Sequence, residues 1–407
     1  MLMPTLMKGG AIEMACAADA AVKQLEGIDY RTGEAIQIIW NNGMIDAVKP
    51  TEKHRAMPII APGFVDLQIN GFWGIDFNTP PIETSAVHEV TRKLWAQGVT
   101  TYYPTVITNA PHTIEEMVRS IAKACGEDAL TAASIAGIHV EGPFISPEDG
   151  PRGAHSKQFV RPPDFAMFER WQEAAGGLIK LITLSPEWDE APAFIRDCVR
   201  SGVAVSIGHT AASSVQLEAA VEAGASLSTH LGNGAHQMLP RHPNYIWDQL
   251  ANEKLSATVI ADGFHLPTAV LKVMLKAKGN QLFLVSDAVY LSGLEPGEYE
   301  THIGGKVVLT EEGRLHLAQD ARLLAGSAQM LGRGVEHLVR TETADLRQAW
   351  DMASILPASF MGLHARQGLS PGAPADLIAF DWAGNENAPL KIKEVYKQGK
   401  RVFDAGL

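Results

Sequence analysis

The chain has 407 residues, of which 46% are hydrophobic and 20% charged, so it can bury a large core. This length suits one domain of about 250 to 300 residues with a smaller one beside it. The formal net charge of −12 and the pI near 5.6 argue against non-specific binding to nucleic acid or to an anionic membrane, because both require a basic surface. Small molecules are therefore the expected partners.

The cysteines and the N-terminal residues indicate the cellular compartment of the protein. Cys16, Cys125 and Cys198 have no CxxC spacing, which fits neither a disulfide framework nor a thiolate metal site. The opening residues, MLMPTLMKGG, lack the apolar segment of a signal peptide, and no run of about 18 apolar residues follows. We therefore expect a cytoplasmic protein.

Both ends of the chain predict β structure. The alternating segment Ala35–Trp40 precedes a hairpin turn at Asn42-Gly43, and Ala375–Phe380 and Ile392–Phe403 are also strand-like. An alanine-rich stretch, Ala15–Val22, is more typical of a helix. The two ends are expected to pair into a small β-sandwich domain.

The middle of the chain alternates strands with helices. Eight apolar runs separated by helical periodicity favour a (β/α)8 barrel over a doubly wound sheet. The predicted strands are Gly63–Ile69, Thr100–Thr105, Ile135–Val140, Ile179–Leu184, Ala204–Ile207, Ser226–Ser228, Ala257–Ile260 and Leu282–Val285. The helices with the clearest periodicity are Ala86–Ala96, Ile114–Ala124, Pro192–Ser201, Met330–Val339 and Asp345–Ala353. The barrel is assigned to residues 61–363 and the small β domain to residues 1–60 and 364–407.

Four polar residues directly follow predicted barrel strands. Glu141 follows the third strand, His209 and His230 follow the fifth and sixth, and Asp287 follows the eighth. The carboxyl ends of barrel strands share one mouth, so these side chains should converge. Two histidines and a glutamate form a three-ligand site that leaves zinc an open position for water. Asp287 would then act as the general acid and base.

Each of these residues also has an ordinary structural explanation. Glu141 could form a salt bridge, a single histidine is more often a hydrogen-bonded core residue, and Asp287 could cap a helix. Their common position at strand ends favours a metal site with a catalytic carboxylate. Zinc is the favoured ion, and iron, cobalt and manganese are alternatives because the same ligands accept them.

Short motifs along the barrel resemble a known family. HVEGPF, GHTAA, THLGN, IADGFH, VSDA and LAGS occur in this order between Pro62 and Ser327. The set resembles the N-acetylglucosamine-6-phosphate deacetylase family of the amidohydrolase superfamily. The resemblance implies a metal-dependent homodimer that converts N-acetylglucosamine-6-phosphate to glucosamine-6-phosphate and acetate, with Glu141, His209 and His230 on the metal and Asp287 as acid and base.

The first barrel strand departs from many amidohydrolases. They carry a His-x-His motif there for a second metal, whereas this chain has Gln68 and Asn70. A neutral amide is a poorer ligand than imidazole. A single metal ion is therefore expected.

The resemblance also implies substrate contacts. These are Ala154, His155, Asn233, Gly234, His265, Ala325 and Gly326. His155 could instead be a solvated loop residue.

Arg241 corresponds to a family arginine that reaches the phosphate of the partner subunit's substrate, and its forked guanidinium suits phosphate. Its surroundings, GAHQMLPRHPNYIW, are unlike those of typical members. They contain His236, His242, Tyr245 and Trp247, and the aromatic rings could stack on a sugar instead. An unphosphorylated or epimeric N-acetyl amino sugar is therefore an alternative substrate. Gln68 and Asn70 count against hydrolysis of another N-acyl amide, and the presence of all four strand-end residues counts against a non-catalytic barrel.

Overall fold

The computed structural model describes residues 23–301, 305–383 and 389–406. Within these ranges, no helix is long and apolar enough to cross a membrane. The helix expected at Ala15–Val22 lies outside the described residues.

The strands and helices are numbered separately in chain order. The strands are β1 (Lys23–Asp29), β2 (Ala35–Asn41), β3 (Met44–Pro50), β4 (Ile59–Pro62), β5 (Phe64–Ile69), β6 (Gly71–Phe72), β7 (Ile75–Asp76), β8 (Val99–Ile107), β9 (Ile138–Glu141), β10 (Ile179–Leu184), β11 (Ala204–Ile207), β12 (Leu227–Ser228), β13 (Ser256–Val259), β14 (Leu282–Leu284), β15 (Gly297–Thr301), β16 (Gly305–Leu309), β17 (Leu315–Leu317), β18 (Asp320–Leu324), β19 (Leu377–Asp381), β20 (Lys391–Lys397) and β21 (Lys400–Asp404). The helices are α1 (Thr84–Trp95), α2 (Pro111–Glu127), α3 (Ala129–Ser134), α4 (Phe165–Ala174), α5 (Ala191–Arg200), α6 (Ser214–Ala223), α7 (Tyr245–Ala251), α8 (Thr268–Lys278), α9 (Leu331–Arg340), α10 (Leu346–Ala353) and α11 (Ile355–Phe360).

Eight parallel strands form the barrel. Strand β5 and the strands from β8 to β14 lie side by side in chain order, and helices follow most of them. Ile69 at the end of β5 forms a parallel bridge with Ala288 beyond β14. The backbone N–H of Asn70 donates to Ala288 O at 2.8 Å across the same seam. The ring is therefore nearly closed, and the predicted (β/α)8 architecture is confirmed.

Several barrel strands begin or end one or two residues from their predicted limits, and the third strand differs most. It begins at Ile138 rather than at Ile135, which directly follows α3 and forms an isolated bridge with Tyr102 of β8. Asp128 caps this helix by accepting a hydrogen bond from the backbone N–H of Thr131 at 2.7 Å. The chain thus leaves this short helix, contacts β8 at Ile135 and enters the regular strand at Ile138.

The terminal strands form a second, seven-stranded sheet. Its order is β21-β20-β19-β4-β1-β2-β3, with β1 and β4 parallel and the other neighbours antiparallel. Trp350 of α10 joins this sheet to the barrel, since its ring stacks on Phe380 at 4.4 Å and its Nε1–H donates to Pro62 O at 2.9 Å. Strands from both ends of the chain thus build one sheet, as expected. The domain limits at residues 60 and 364 stay a prediction.

A four-stranded antiparallel sheet is inserted between β14 and α9. It consists of β15 to β18 and has its own small apolar cluster, which includes Val307, Leu309 and Leu315. The barrel periodicity gave no indication of this sheet. It matters for the site because β18 runs along the wall of the cavity at the barrel mouth.

Candidate active site

Three buried side chains converge at the carboxyl end of the barrel. The Nε2 atoms of His209 and His230 are 3.1 Å apart, and they lie 3.3 and 3.1 Å from Glu141 Oε1. Ligand atoms of a tetrahedral ion with bonds of about 2.0 to 2.2 Å are about 3.3 to 3.6 Å apart. The three predicted ligands thus have the spacing and burial that suit a divalent metal ion.

A fourth imidazole lies close to this group. Suitable atoms of Glu141, His155 and His209 all fall within 4.8 Å of one another, so His155 is also a candidate ligand. However, His155 Nε2 is 3.9 Å from Glu141 Oε2, farther than the 3.1 Å that separates His230 Nε2 from Glu141 Oε1. We therefore assign His230 as the third candidate ligand and place His155 beside the position left open.

The charges in the group are complementary. Burial disfavours the Glu141 carboxylate, but hydrogen bonds and charge from His209 and His230 outweigh this and hold its pKa well below the usual range. Burial also opposes a charged His230, yet Glu141 raises the pKa of this imidazole above its ordinary value. A positive charge at this point, on the His230 imidazole or on a bound cation, would offset the charge of the Glu141 carboxylate.

The backbone turns the site residues inward. His209, His230 and Asp287 have φ values of 50°, 28° and 47°, in the left-handed region that residues other than glycine seldom adopt. His209 Nδ1 is 2.8 Å from Pro151 O, so it donates its proton there and leaves Nε2 free to face the centre. The strained backbone directs all three side chains, and at His209 the second hydrogen bond fixes the ring as well.

Asp287 lies in the same cavity as the three candidate ligands. Burial is the main cause that raises the pKa of its carboxyl to about 6, and the Glu141 charge adds to it. His230, His265 and a hydrogen bond from Asn70 oppose this shift. A carboxyl with such a pKa can both accept and release a proton near neutral pH.

The cavity has a volume of about 400 Å³. It is lined by all the predicted substrate contacts except Arg241, namely Ala154, His155, Asn233, Gly234, His265, Ala325 and Gly326. Gly234 has a φ of +54°, and a Cβ there would lie 2.7 Å from His209 Nδ1. Glycine is therefore required beside the candidate metal ligand.

The segment around Arg241 lies apart from these residues. Arg241 is exposed and does not line the cavity. His236 lies 3.0 Å from the hydroxyl of Tyr245 and 3.2 Å from a carboxylate oxygen of Glu148, so it belongs to a separate surface cluster. Trp247 is 53% exposed and likewise outside the cavity lining. The aromatic rings of this segment do not reach the cavity of their own chain.

Other residues at or near the cavity were not assigned from the sequence, among them Thr108, Asp262 and Arg322. Thr108 Oγ1 is 2.8 Å from His155 Nδ1, and Asp262 Oδ2 accepts a hydrogen bond from His265 Nδ1 at 2.7 Å. Thr108 directly follows β8, so the strand-end rule could have found it. Asp262 lies within the IADGFH motif. Arg322 comes from the inserted sheet and had no signal in the sequence.

Comparisons with known proteins agree with this architecture. The amidohydrolase family model matches residues 59–402. The N-acetylglucosamine-6-phosphate deacetylase of Bacillus subtilis is 34% identical over 351 residues, which cover 83% of this chain and 87% of that protein. The mouse (Mus musculus) deacetylase is 31% identical over 412 residues, covering 96% of this chain and 98% of that protein.

A solved structure extends the comparison to the fold. The Mycobacterium smegmatis N-acetyl-D-glucosamine-6-phosphate deacetylase, a mutant in complex with N-acetyl-D-glucosamine-6-phosphate, gives a TM-score of 0.80 at 26% identity. The match covers 94% of this chain and 99% of that one. The chain therefore belongs to the N-acetylglucosamine-6-phosphate deacetylase family of amidohydrolases.

Proposed function

We propose that this protein hydrolyses the acetamide of N-acetylglucosamine-6-phosphate to acetate and glucosamine-6-phosphate. The observation that carries the proposal is the buried group of Glu141, His209 and His230, which shares one cavity with Asp287. We propose that this group holds one divalent ion. Zinc is favoured because it accepts two imidazoles and one carboxylate with an open position, and iron, cobalt and manganese are alternatives. An ion bound there would act as a Lewis acid and lower the pKa of a coordinated water to about 7.

Asp287 carries the proton in this reaction. Its carboxylate takes a proton from the attacking water, whose oxygen forms a bond to the acetyl carbon. The same carboxyl then gives the proton to the amide nitrogen as the carbon–nitrogen bond breaks. The raised pKa of about 6 suits both steps, because a carboxyl with this pKa can gain and lose a proton readily near neutral pH.

Two histidines are placed to bind the substrate. Burial lowers the pKa of His155 to about 3, so its imidazole is neutral. The Thr108 hydroxyl lies 2.8 Å from His155 Nδ1 and 3.4 Å from Glu141 O, and we assign its proton to the shorter contact. The ring proton of His155 is then on Nε2, where it can stabilise the oxyanion. His265 donates Nδ1–H to Asp262, which leaves Nε2 for a hydroxyl or phosphate oxygen of the sugar. Backbone groups of Asn233, Gly234, Ala325 and Gly326 and the loop residue Ala154 would enclose the sugar.

We propose a homodimer in which Arg241 binds the phosphate of the substrate held by its partner subunit. The placement of Arg241 on an exposed loop, outside the cavity of its own chain, supports a contact in trans. Phosphate also suits the forked donors of arginine. A cytoplasmic location remains a proposal, supported by Cys125 and Cys198, which are both free thiols.

The test is acetate release by the metal-loaded full chain. N-acetylglucosamine-6-phosphate, its galactose epimer and the two unphosphorylated sugars are compared as substrates. We expect the highest kcat/KM with N-acetylglucosamine-6-phosphate. Preference for an unphosphorylated sugar would support the deacetylase reaction but contradict the proposed phosphorylated substrate. No acetate from any of the four would contradict the proposal and favour another N-acyl amide.

A further inference from the structure

Two amide side chains on the first barrel strand each contact one carboxylate of the site. Gln68 Nε2–H donates to Glu141 Oε1 at 3.0 Å, and Asn70 Nδ2–H donates to Asp287 Oδ1 at 2.7 Å. Because the two residues are separated by one position along an extended segment, they project to the same face. The amides are thus hydrogen-bond donors to two different carboxylates.

We propose that Asn70 is a positioning residue that fixes which oxygen of Asp287 carries the proton. This inference rests on the proposed deacetylase activity. A donor at Oδ1 disfavours protonation of that oxygen, because two hydrogens would then face each other. Oδ2 is left to accept the proton from water and return it to the amine. Asn70 therefore has a role of its own in a site where Gln68 and Asn70 stand in place of a second-metal motif.

The backbone around the two residues supports a fixed geometry. The Asp287 N–H donates to Gln68 O at 2.9 Å, and the Asn70 N–H donates to Ala288 O at 2.8 Å. These bonds lie at the seam that closes the barrel, and they hold Asp287 in its left-handed conformation. These bonds hold the backbone segments of Asn70 and Asp287 together. The hydrogen bond between their side chains therefore only sets the orientation of the Asp287 carboxylate.

The other end of the Asn70 amide has no such partner. Asn70 Oδ1 is buried and accepts no hydrogen bond from the residues that the structure describes. A buried acceptor without a partner is unfavourable for folding, so this amide is a poor choice for stability alone. The Nδ2–H donated to Asp287 is its one side-chain hydrogen bond there, which is consistent with a role in the reaction.

The test compares Asn70→Leu with wild type as full-length, metal-loaded protein. Leucine has a similar size but no donor. We expect kcat for N-acetylglucosamine-6-phosphate to fall on the order of 10- to 100-fold, with KM and bound metal per chain within about twofold of wild type. The solvent deuterium isotope effect on kcat should rise, because the misplaced proton transfer becomes rate-limiting.

Gln68→Leu is the matched control on the same strand. Its lost hydrogen bond is to a candidate metal ligand, so we expect metal affinity, measured by competition with a chelator, to fall about 10- to 100-fold. Its kcat should return close to the wild-type value when metal is added in excess. In Asn70→Leu, by contrast, excess metal should not restore kcat.

A second variant covers the possibility that Asn70→Leu does not fold. Asn70→Ser retains a donor that is too short to reach Asp287 well, and we expect a smaller fall in kcat with the same rise in isotope effect. Wild-type kcat in the folded leucine variant, or a loss in either variant that excess metal reverses, would overturn the role of Asn70. Wild type is assayed in parallel, so absent wild-type turnover would instead contradict the proposed deacetylase activity.

Discussion

The centre of the active site and its rim are built in different ways. In the centre, Glu141, His209 and His230 each sit at the end of a barrel strand or within two residues of it, and all are buried. Around the centre, Arg322 of the inserted sheet lines the cavity, and Arg241 lies in an exposed loop outside the cavity of its own chain. The barrel itself therefore places the groups to which we assign the chemistry. The segments to which we assign recognition of the sugar and its phosphate can differ without disturbing the barrel.

The largest effect should come from the centre of the site. Asp287→Asn keeps the shape of the side chain but removes its ability to carry a proton. We expect kcat to fall by about 10³-fold or more, while substrate binding measured by calorimetry stays within a few-fold. Retained turnover would show that another group carries the proton.

The same substitution should stabilise the metal-free protein. Burial raises the pKa of Asp287 from 3.8 to about 6, so the folded state holds this proton more tightly than the unfolded state. The stability from this group is present below about pH 4 and is lost as the pH rises through about 6. We expect Asp287→Asn to add up to about 3 kcal/mol to the free energy of unfolding at pH 7.5 and nothing near pH 4. An unchanged thermal midpoint at pH 7.5 would contradict this expectation.

A second comparison distinguishes His230, the candidate metal ligand, from the neighbouring His155. We expect His230→Ala to weaken metal binding by about 100-fold or more, because one of three ligands is lost. His155→Ala should retain one metal ion per chain and lose activity about 100-fold through the missing oxyanion donor. The metal content of each variant, measured by mass spectrometry after dialysis, shows which of His230 and His155 is the metal ligand. The reverse pattern would make His155 the third ligand.

The rim should give the smallest effects. We expect Arg241→Ala to raise KM about tenfold for the phosphorylated sugar and to leave the unphosphorylated sugar unaffected. Arg322→Ala is the control: this residue lines the cavity of its own chain, but Asp320 already holds two of its donors at 2.9 and 2.7 Å. It should change KM less than threefold.

Mixed dimers test whether Arg241 acts in trans. A dimer of one Arg241→Ala chain and one Asp287→Asn chain contains one site with an intact Asp287 and the partner's intact arginine. We expect this site to have a KM close to that of wild type. A KM that stays tenfold higher in the mixed dimer would place Arg241 in the site of its own chain.

The sequence predicted the centre of the site better than the rim, for a physical reason. Strand ends in a barrel can be located from apolar periodicity, and the polar residues that follow must then meet at one mouth, as Glu141 and Asp287 do. The inserted sheet has no such constraint, so neither β18 nor Arg322 could be placed in advance. The donor role of Asn70 was also beyond reach, because it depends on how the amide is oriented at the barrel seam. The start of the third strand at Ile138 was also missed, because the apolar run from Ile135 passes through an isolated bridge before the regular strand pairing begins.

The left-handed backbone at His209, His230 and Asp287 has a consequence for protein design. Grafting these side chains onto regular strand ends of another barrel would aim them elsewhere, since their direction comes from the turn as much as from the position. A successful graft would have to copy the main-chain turns and the hydrogen bonds that hold them. The smallest transferable unit of this site is therefore a strand end together with the reversed turn that follows it.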